Sequence, residues 1–513
     1  MRFVIIDRDE RIPVSPRPLA VLVRDGWDDF GWRTMFHLKV LDADGRHEIG
    51  PVKIGALGMS HSAETVVQPP QEFTEIPGKY FSVGQDDTYY ARLARLGDAT
   101  RIAVLSGLRD MAFDEEIFDL ARDEEVTRTA LWRFLKPLVI EEQFRRIARG
   151  GARVTSFGVT YQTPDFAGGD GLRLSFTVTR DVQPPSNIHV LTGRNGAGKS
   201  VLVNRLARAV ADPEARPAEV GWIFEEGRGS RRSFANLVSV SFSAFDDPPH
   251  LPDSDAFHTT HVGLRTPSTT SRTPRMKSPS RLKRDFADSI EACLMGEQAE
   301  RWTNALGTLS YSGSGLLDED WLASFTATRS AARRRTAARK LFASLSSGHK
   351  VVLLTVTRLV EHVGERTLVL IDEPETHLHP PLLSAFIRVL SDLLTERNGL
   401  AIVATHSPVV LQEVPAHCVW KLRRYGGHLA ADRPSIETFG ENVGILTHEV
   451  FGLEVTDTGF HRDLSVLVDE GLSYEGILDR FQGRLGGEAR IIARSLIAAR
   501  DLDDTSAGFE EDR

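Results

Sequence analysis

Eight consecutive residues, Gly193-Arg194-Asn195-Gly196-Ala197-Gly198-Lys199-Ser200, have the types and spacing needed to hold a polyphosphate. Three glycines let backbone N–H groups close around an anion, and a helix starting at the end of the loop adds its positive pole. Lys199 supplies an ammonium for the β- and γ-phosphates, and Ser200 a hydroxyl for Mg²⁺. The flanks fit. An apolar run, NIHVLTG, precedes the loop, and Leu202, Leu206 and Val210 follow it at four-residue spacing, so the loop joins a strand to a helix.

Two further segments end in chemistry. Residues 367–373, TLVLIDE, are an apolar, β-friendly run closed by two acids. Such a run predicts a buried parallel strand whose acids lie at the sheet's ligand edge. Asp372 is then the metal-side carboxylate. Glu373 is placed to take a proton from an attacking water. Residues 401–408, AIVATHSP, predict another buried strand, with His406 just past its end and within reach of a γ-phosphate. A lone histidine is more often structural; its place after a sheet strand argues for function.

The elements that position these groups need a large α/β core, and the chain can supply one. Its 513 residues exceed one ordinary domain, and 41% hydrophobic with 26% charged residues is globular composition. Cys293 and Cys418 are the only cysteines, which excludes a disulfide framework or a cysteine-built zinc site and fits a reducing cytoplasm. No apolar run is long enough to span a membrane, and the first residues, MRFVIIDRDERIP, do not make a signal peptide. With 62 basic against 71 acidic residues, a net of −9, any nucleic-acid contact must be a local patch.

The expected fold class is α/β. Residues 1–150 read as an N-terminal accessory α+β domain, with strands near 18–24 and 35–41 and helical periodicity from 86 to 149. Residues 151–430 read as the nucleotide-binding head, starting with three strands between 151 and 192 and interrupted by a basic loop and helical insertion at about 246–340. Residues 431–500 read as a helical region, and 501–513, with six acids, as a disordered tail. Two runs inside the insertion are basic. Residues 263–284 hold seven basic residues and no acid among Ser, Thr and Pro, which predicts a loop or disordered excursion. Residues 329–340 hold six basic residues and no acid among good helix formers, which predicts a helix. Each is a candidate DNA contact, set against a merely solvated face. His377 with His379, and His258 with His261, lack the further ligands a metal site needs. Tyr161 and Phe157 are candidates to stack on adenine, each read first as a core residue.

Together these residues resemble the ABC-type ATPase superfamily. GRNGAGKS resembles its Walker A, TLVLIDEPETHLHP its Walker B with catalytic Glu373, and His406 its switch histidine. LSSGH at 345–349 resembles its signature, where Ser346 and Gly348 would meet the γ-phosphate bound by a second subunit. The resemblance covers residues 190–410. It implies ATP and Mg²⁺ as ligands, with Gly193, Asn195, Gly196, Ala197, Gly198, Lys199 and Ser200 around the phosphates and Ser200 and Asp372 on the metal. It also implies an ATP-dependent homodimer or higher oligomer.

IDEPETHLHP followed by THSP resembles the non-transporter branch, the RecF-like and OLD-like ATPases of bacterial defence. The segment ETFGENVGILTHEVFGLE resembles Septu-type ATPases found beside nucleases. No TOPRIM carboxylate set follows the ATPase. The signature has Ser347 where glycine is usual, and no Q-loop glutamine is visible, which leaves Ser243 and Asp246 as candidates for the second Mg²⁺ ligand. The function this implies is a cytoplasmic ATP-hydrolysing switch that controls a partner effector, a nuclease, in anti-phage defence or DNA sensing. A RecF-like DNA-repair clamp is the alternative, and an ABC transporter subunit fits less well.

Overall fold

The computed structural model describes residues 1–13, 18–43, 45–59, 65–151, 155–165, 171–180, 182–225, 233–242, 251–254, 257–266, 275–294, 298–311, 314–317, 321–328, 330–425, 428–451 and 459–508. The candidates Ser243 and Asp246, and residues 267–274 of the first basic run, lie outside them.

The first part of the chain is α+β. Strands β1 (Arg2–Ile6), β2 (Leu19–Arg24), β3 (Met35–Asp42), β4 (Gly45–Ala56), β5 (Glu72–Phe73) and β6 (Tyr80–Gly84) form one sheet in the order β5-β1-β2-β3-β4-β6. Only β1 and β2 run parallel. Because strand side chains alternate faces, Phe3 and Ile5 fall in a core shared with helices α1 (Asp87–Arg95), α2 (Asp98–Gly107) and α3 (Glu115–Ala121), while Val4 and Ile6 join a small second cluster. That larger core contains only residues between Phe3 and Ala148.

The head begins with an antiparallel three-stranded sheet of β7 (Phe157–Gln162), β8 (Arg173–Val178) and β10 (Trp222–Glu225), with β7 in the middle. The main sheet has seven strands: β9 (Ile188–Gly193), β11 (Asn236–Ser241), β12 (His258–Gly263), β13 (Thr367–Asp372), β14 (Leu400–Thr405), β15 (Val419–Tyr425) and β16 (His428–Asp432). Their order is β12-β11-β13-β14-β9-β15-β16, parallel throughout except for β16. Every residue of β9, β13 and β14 is buried, as continuous apolar runs in a parallel sheet require. Helix α4 (Lys199–Ala211) follows β9 directly and buries Leu202 and Leu206.

Four helices carry the insertion and the approach to β13: α5 (Pro279–Cys293), α6 (Gln298–Leu309), α7 (Trp321–Ala327) and α8 (Ala331–Ser344). Helix α9 (Ser347–His362) follows α8 after two residues, and α10 (Pro380–Glu396) joins β13 to β14. All six helices contribute to one core with the sheet. The mixed α/β class and the P-loop head are therefore as expected. Two expectations need correction. The stretch 263–284 is not all loop, because Ser278 caps α5, accepting from Arg281 N, and the helix starts at Pro279. The acidic end is helical as far as Gly508, as the last part of α14 (Gly487–Gly508), which follows α11 (Val443–Phe451), α12 (Gly459–Asp469) and α13 (Tyr474–Arg480).

Candidate nucleotide site

Register decides what meets at the carboxyl edge of the main sheet. Thr192 of β9 pairs with Thr405 of β14, and Ala404 of β14 pairs with Asp372 of β13. The three strands end level, so the loop after β9, the acids after β13 and His406 after β14 share one edge. Parallel sheets bind ligands outside the carboxyl ends of their strands, where neighbouring connections diverge.

The loop has the backbone its glycines permit. Gly196 (φ 78°) and Gly198 (φ 95°) lie in the left-handed region, where a side chain would be strained. Gly193 (φ 150°) faces the adjoining strand so closely that a Cβ would come within 2.3 Å of Leu422 O. Gly198 is the N-cap of α4, whose first turn presents its amides to the loop. Asn195 is exposed, Ala197 is buried, and Ser200 is partly buried one residue into the helix.

Lys199 is 5% exposed, and its Nζ donates to Gly193 O at 2.9 Å and Arg194 O at 3.3 Å. Burial lowers its pKa, while Glu373, Asp372 and Glu375 oppose that and favour its charged form. The lysine and the acids thus belong to one electrostatic group. Asp372 ends β13 and is 7% exposed. Glu373 follows in a left-handed backbone (φ 46°, ψ 61°), with its amide donating to Ala404 O at 2.9 Å. A non-glycine residue held there is strained, as functional positions often are. The hydroxyl of Ser200 and the carboxylate of Asp372 are hard oxygen donors, the type Mg²⁺ takes. The donor set fits that ion.

One nitrogen of the His406 ring faces two glutamates. Its Nδ1 is 3.8 Å from Glu373 Oε1 and 3.1 Å from Glu375 Oε1. The sequence reading had no role for Glu375. Its position within DEPE was the available signal, but its partners Thr405 and His406 lie about thirty residues away.

The signature residues sit elsewhere in the same chain. Ser346 is the N-cap of α9, accepting from His349 N, and Gly348 lies in the first turn. Among the described residues no hydrogen bond joins either of them to the phosphate loop. Other sequence candidates fall outside the site. Tyr161 is 1% exposed, with its hydroxyl donating to Val220 O, and Phe157 packs under the Arg366 guanidinium; both are core residues. His377 Nε2 lies 3.3 Å from Phe242 O, and His258 pairs with Asp253. Among the described residues no three His, Cys, Asp or Glu side chains gather as a metal site. The run 329–340 does have acidic partners: Arg334 forms a two-pronged pair with Glu291, and Arg335 lies 3.8 Å from Asp288. Arg333, Arg339 and Lys340 remain exposed. No helix among the described residues is long and apolar enough to cross a membrane.

Residues 332–412 match the family described as "AAA domain, putative AbiEii toxin, Type IV TA system", a span that holds the signature, Walker B and His406. Solved structures superpose loosely. An ATP-binding cassette of an ABC transporter in its ADP conformation has 15% identity and a TM-score of 0.29, covering 56% of this chain and 94% of the other. UvrA2 from Deinococcus radiodurans has 16% identity and a TM-score of 0.29, covering 56% and 38%. Protein ea59 of Escherichia phage lambda is 38% identical over 526 residues, covering 98% of this chain and 99% of the relative. With an AAA-domain match confined to residues 332–412, the chain belongs, over essentially its whole length, to the family of the phage lambda protein ea59.

Proposed function

We propose that this protein is an ATP-hydrolysing switch that dimerises on ATP and controls a separate effector, a nuclease, in anti-phage defence or DNA sensing. The observation that carries the ATPase part is the gathering of Lys199, Asp372, Glu373 and His406 at one sheet edge. The phosphates of ATP lie in the loop 193–200, held by its amides and by Lys199. Ser200 and Asp372 would hold Mg²⁺, which would neutralise phosphate charge when bound. Water attacks the γ-phosphorus and gives a proton to Glu373. The bond from phosphorus to the β–γ bridging oxygen breaks, leaving ADP and inorganic phosphate. Lys199 and His406 are placed to stabilise charge on the transferring group.

The lack, among the described residues, of a hydrogen bond from Ser346 or Gly348 to the phosphate loop of their own chain supports a site completed by a second subunit. ATP then holds two chains together, and hydrolysis removes the γ-phosphate contacts that hold them, a ligand-driven switch. The exposed Arg333, Arg339 and Lys340 on α8, two residues before the signature helix, support a DNA contact linked to that closure. A relative from a phage supports a setting in the contest between phage and host.

The test is Glu373→Gln, whose amide cannot accept the proton from water. This variant is expected to bind ATP, turn it over very slowly, and double its mass by light scattering when ATP is added. An unchanged mass would remove the dimer switch from the proposal. Normal turnover would remove Glu373 from its role.

A further inference from the structure

Two glutamates, Glu373 and Glu375, approach Nδ1 of His406, and only the first has a task so far. Glu375 sits in the short 3-10 turn Pro374–His377 that leaves β13. The left-handed backbone at Glu373 turns the chain there, so that Glu375 reaches the end of β14. Its side chain is 11% exposed. Its Oε1 accepts from Thr405 Oγ1 at 2.7 Å and from His406 N at 2.8 Å, and lies 3.1 Å from His406 Nδ1. Thr405 is fully buried, and its hydroxyl also accepts from Ser407 N at 2.9 Å. Two donors therefore hold Oε1 of the carboxylate where the ring meets it.

We propose that Glu375 is a positioning residue: it holds the ring of His406 so that Nε2 is presented to the γ-phosphate. The inference rests on the ATPase reading above. An ionised carboxylate only accepts hydrogen bonds, so the ring nitrogen facing it carries a proton. The 3.1 Å approach of Nδ1 to Glu375 Oε1 sets which ring nitrogen faces the carboxylate and leaves Nε2 for the phosphate. With a second proton on the ring, Nε2–H donates to a phosphate oxygen, and Glu375 supplies the opposite charge at the other nitrogen. This is the part an orienting carboxylate plays for a catalytic histidine in a hydrolase triad. Glu373 Oε1, at 3.8 Å from Nδ1, is beyond hydrogen-bond distance and stays available for water. Two carboxylates two residues apart thus divide the work: one serves the nucleophile, the other the histidine.

The experiment is a double-mutant cycle on the full-length protein with Glu375→Gln, His406→Ala and their combination. Three quantities are read: kcat, KM, and the ratio of ADP to ATP dissociation constants with Mg²⁺ present. Glu375→Gln keeps the side chain's shape and loses its charge. It is expected to lower kcat by about 10- to 100-fold, as loss of an orienting partner does, while ADP affinity stays within about twofold and preference for ATP over ADP falls. In the His406→Ala background the same substitution should cost nothing more, because residues acting through one group are not additive. Glu375→Asp, which keeps the charge but withdraws it by one methylene, should show the same loss and serves if the amide variant does not fold. Wild-type kcat in both Glu375 variants would overturn the proposal, as would a full additional loss in the double variant. His406→Ala turning over like wild type would overturn the positioning role and leave the ATPase reading standing. No turnover by the unsubstituted chain would instead overturn the ATPase reading itself.

Discussion

A Cβ on Gly348 would lie 2.6 Å from the carbonyl oxygen of His377, so the signature helix and the segment after Walker B touch where no side chain fits. Both residues are in one chain. In a dimer whose signatures each serve the other subunit's ATP, this contact would join one site's acids to the other site's signature. Gly348→Ala must therefore push backbone from backbone. The expected result is a stability loss of about 1–3 kcal/mol from overpacking, with ATP turnover falling further than nucleotide affinity. Thermal melting and steady-state kinetics check it, and a variant matching wild type in both would show that the contact yields freely.

The basic helix α8 separates into two groups. Arg334 and Arg335 face acids on α5, Arg335 from an exposed position, whereas no ion pair is seen among the described residues for the exposed Arg333, Arg339 and Lys340. Neutralising the exposed three should weaken DNA binding and lower its salt slope by about 0.9 for each duplex phosphate that is no longer neutralised. Arg334→Ala should instead lower stability, because it leaves Glu291, which is 13% exposed, without its two-pronged partner. Binding isotherms at several salt concentrations, read beside melting curves, separate the two groups. Equal affinity and slope for the triple variant and wild type would return the run to a solvated face.

What the sequence made legible follows from distance along the chain. The phosphate loop, the acids after β13 and the histidine after β14 are local patterns, because one strand end positions consecutive residues. Strands β9, β13 and β14 were legible for the same reason, as unbroken apolar runs. What lay hidden depends on partners far away. Arg334 looked free because Glu291 is 43 residues distant. Glu375, inside the Walker B segment, showed no role of its own because its partners come from the next strand. In the first part of the chain, the ion pair of Lys53 with Asp29 is fully buried, although both residue types ordinarily read as surface.

The first part of the chain is tied to the head at the sheet edge opposite the nucleotide. Arg397, just after α10, donates to Asp87 Oδ1 at 2.6 Å, with both side chains almost fully buried, and Gln143 also donates to Asp87. Arg397→Met would remove the cation hydrogen-bonded to this buried carboxylate, and a loss of up to about 3–5 kcal/mol is expected. Asp87→Asn should recover part of it in the double variant, since the uncompensated charge is then gone. Urea unfolding of the two singles and the double measures the coupling. Strictly additive losses would mean that the pair does not act as a pair.

Glu365 gives the same junction a pH dependence. It precedes β13, is 4% exposed, accepts from Asn398 Nδ2 at 3.2 Å and lies 3.5 Å from Arg146. Burial pushes its carboxyl up from 4.5 to about 7, against the pull of Arg146, Asn398 and Arg366. Between those two values the native chain keeps a proton that the unfolded chain has released. Stability must therefore fall as pH rises through this window. The favourable contribution is complete below 4.5 and is lost as pH passes about 7. Glu365→Gln is neutral at every pH and nearly the same shape, so it removes this contribution to the slope. Urea midpoints for both proteins from pH 5 to pH 8 should start close together and separate, with wild type the less stable at pH 8. Curves that stay parallel across the range would show that Glu365 is ionised in the folded protein throughout, held by Arg146.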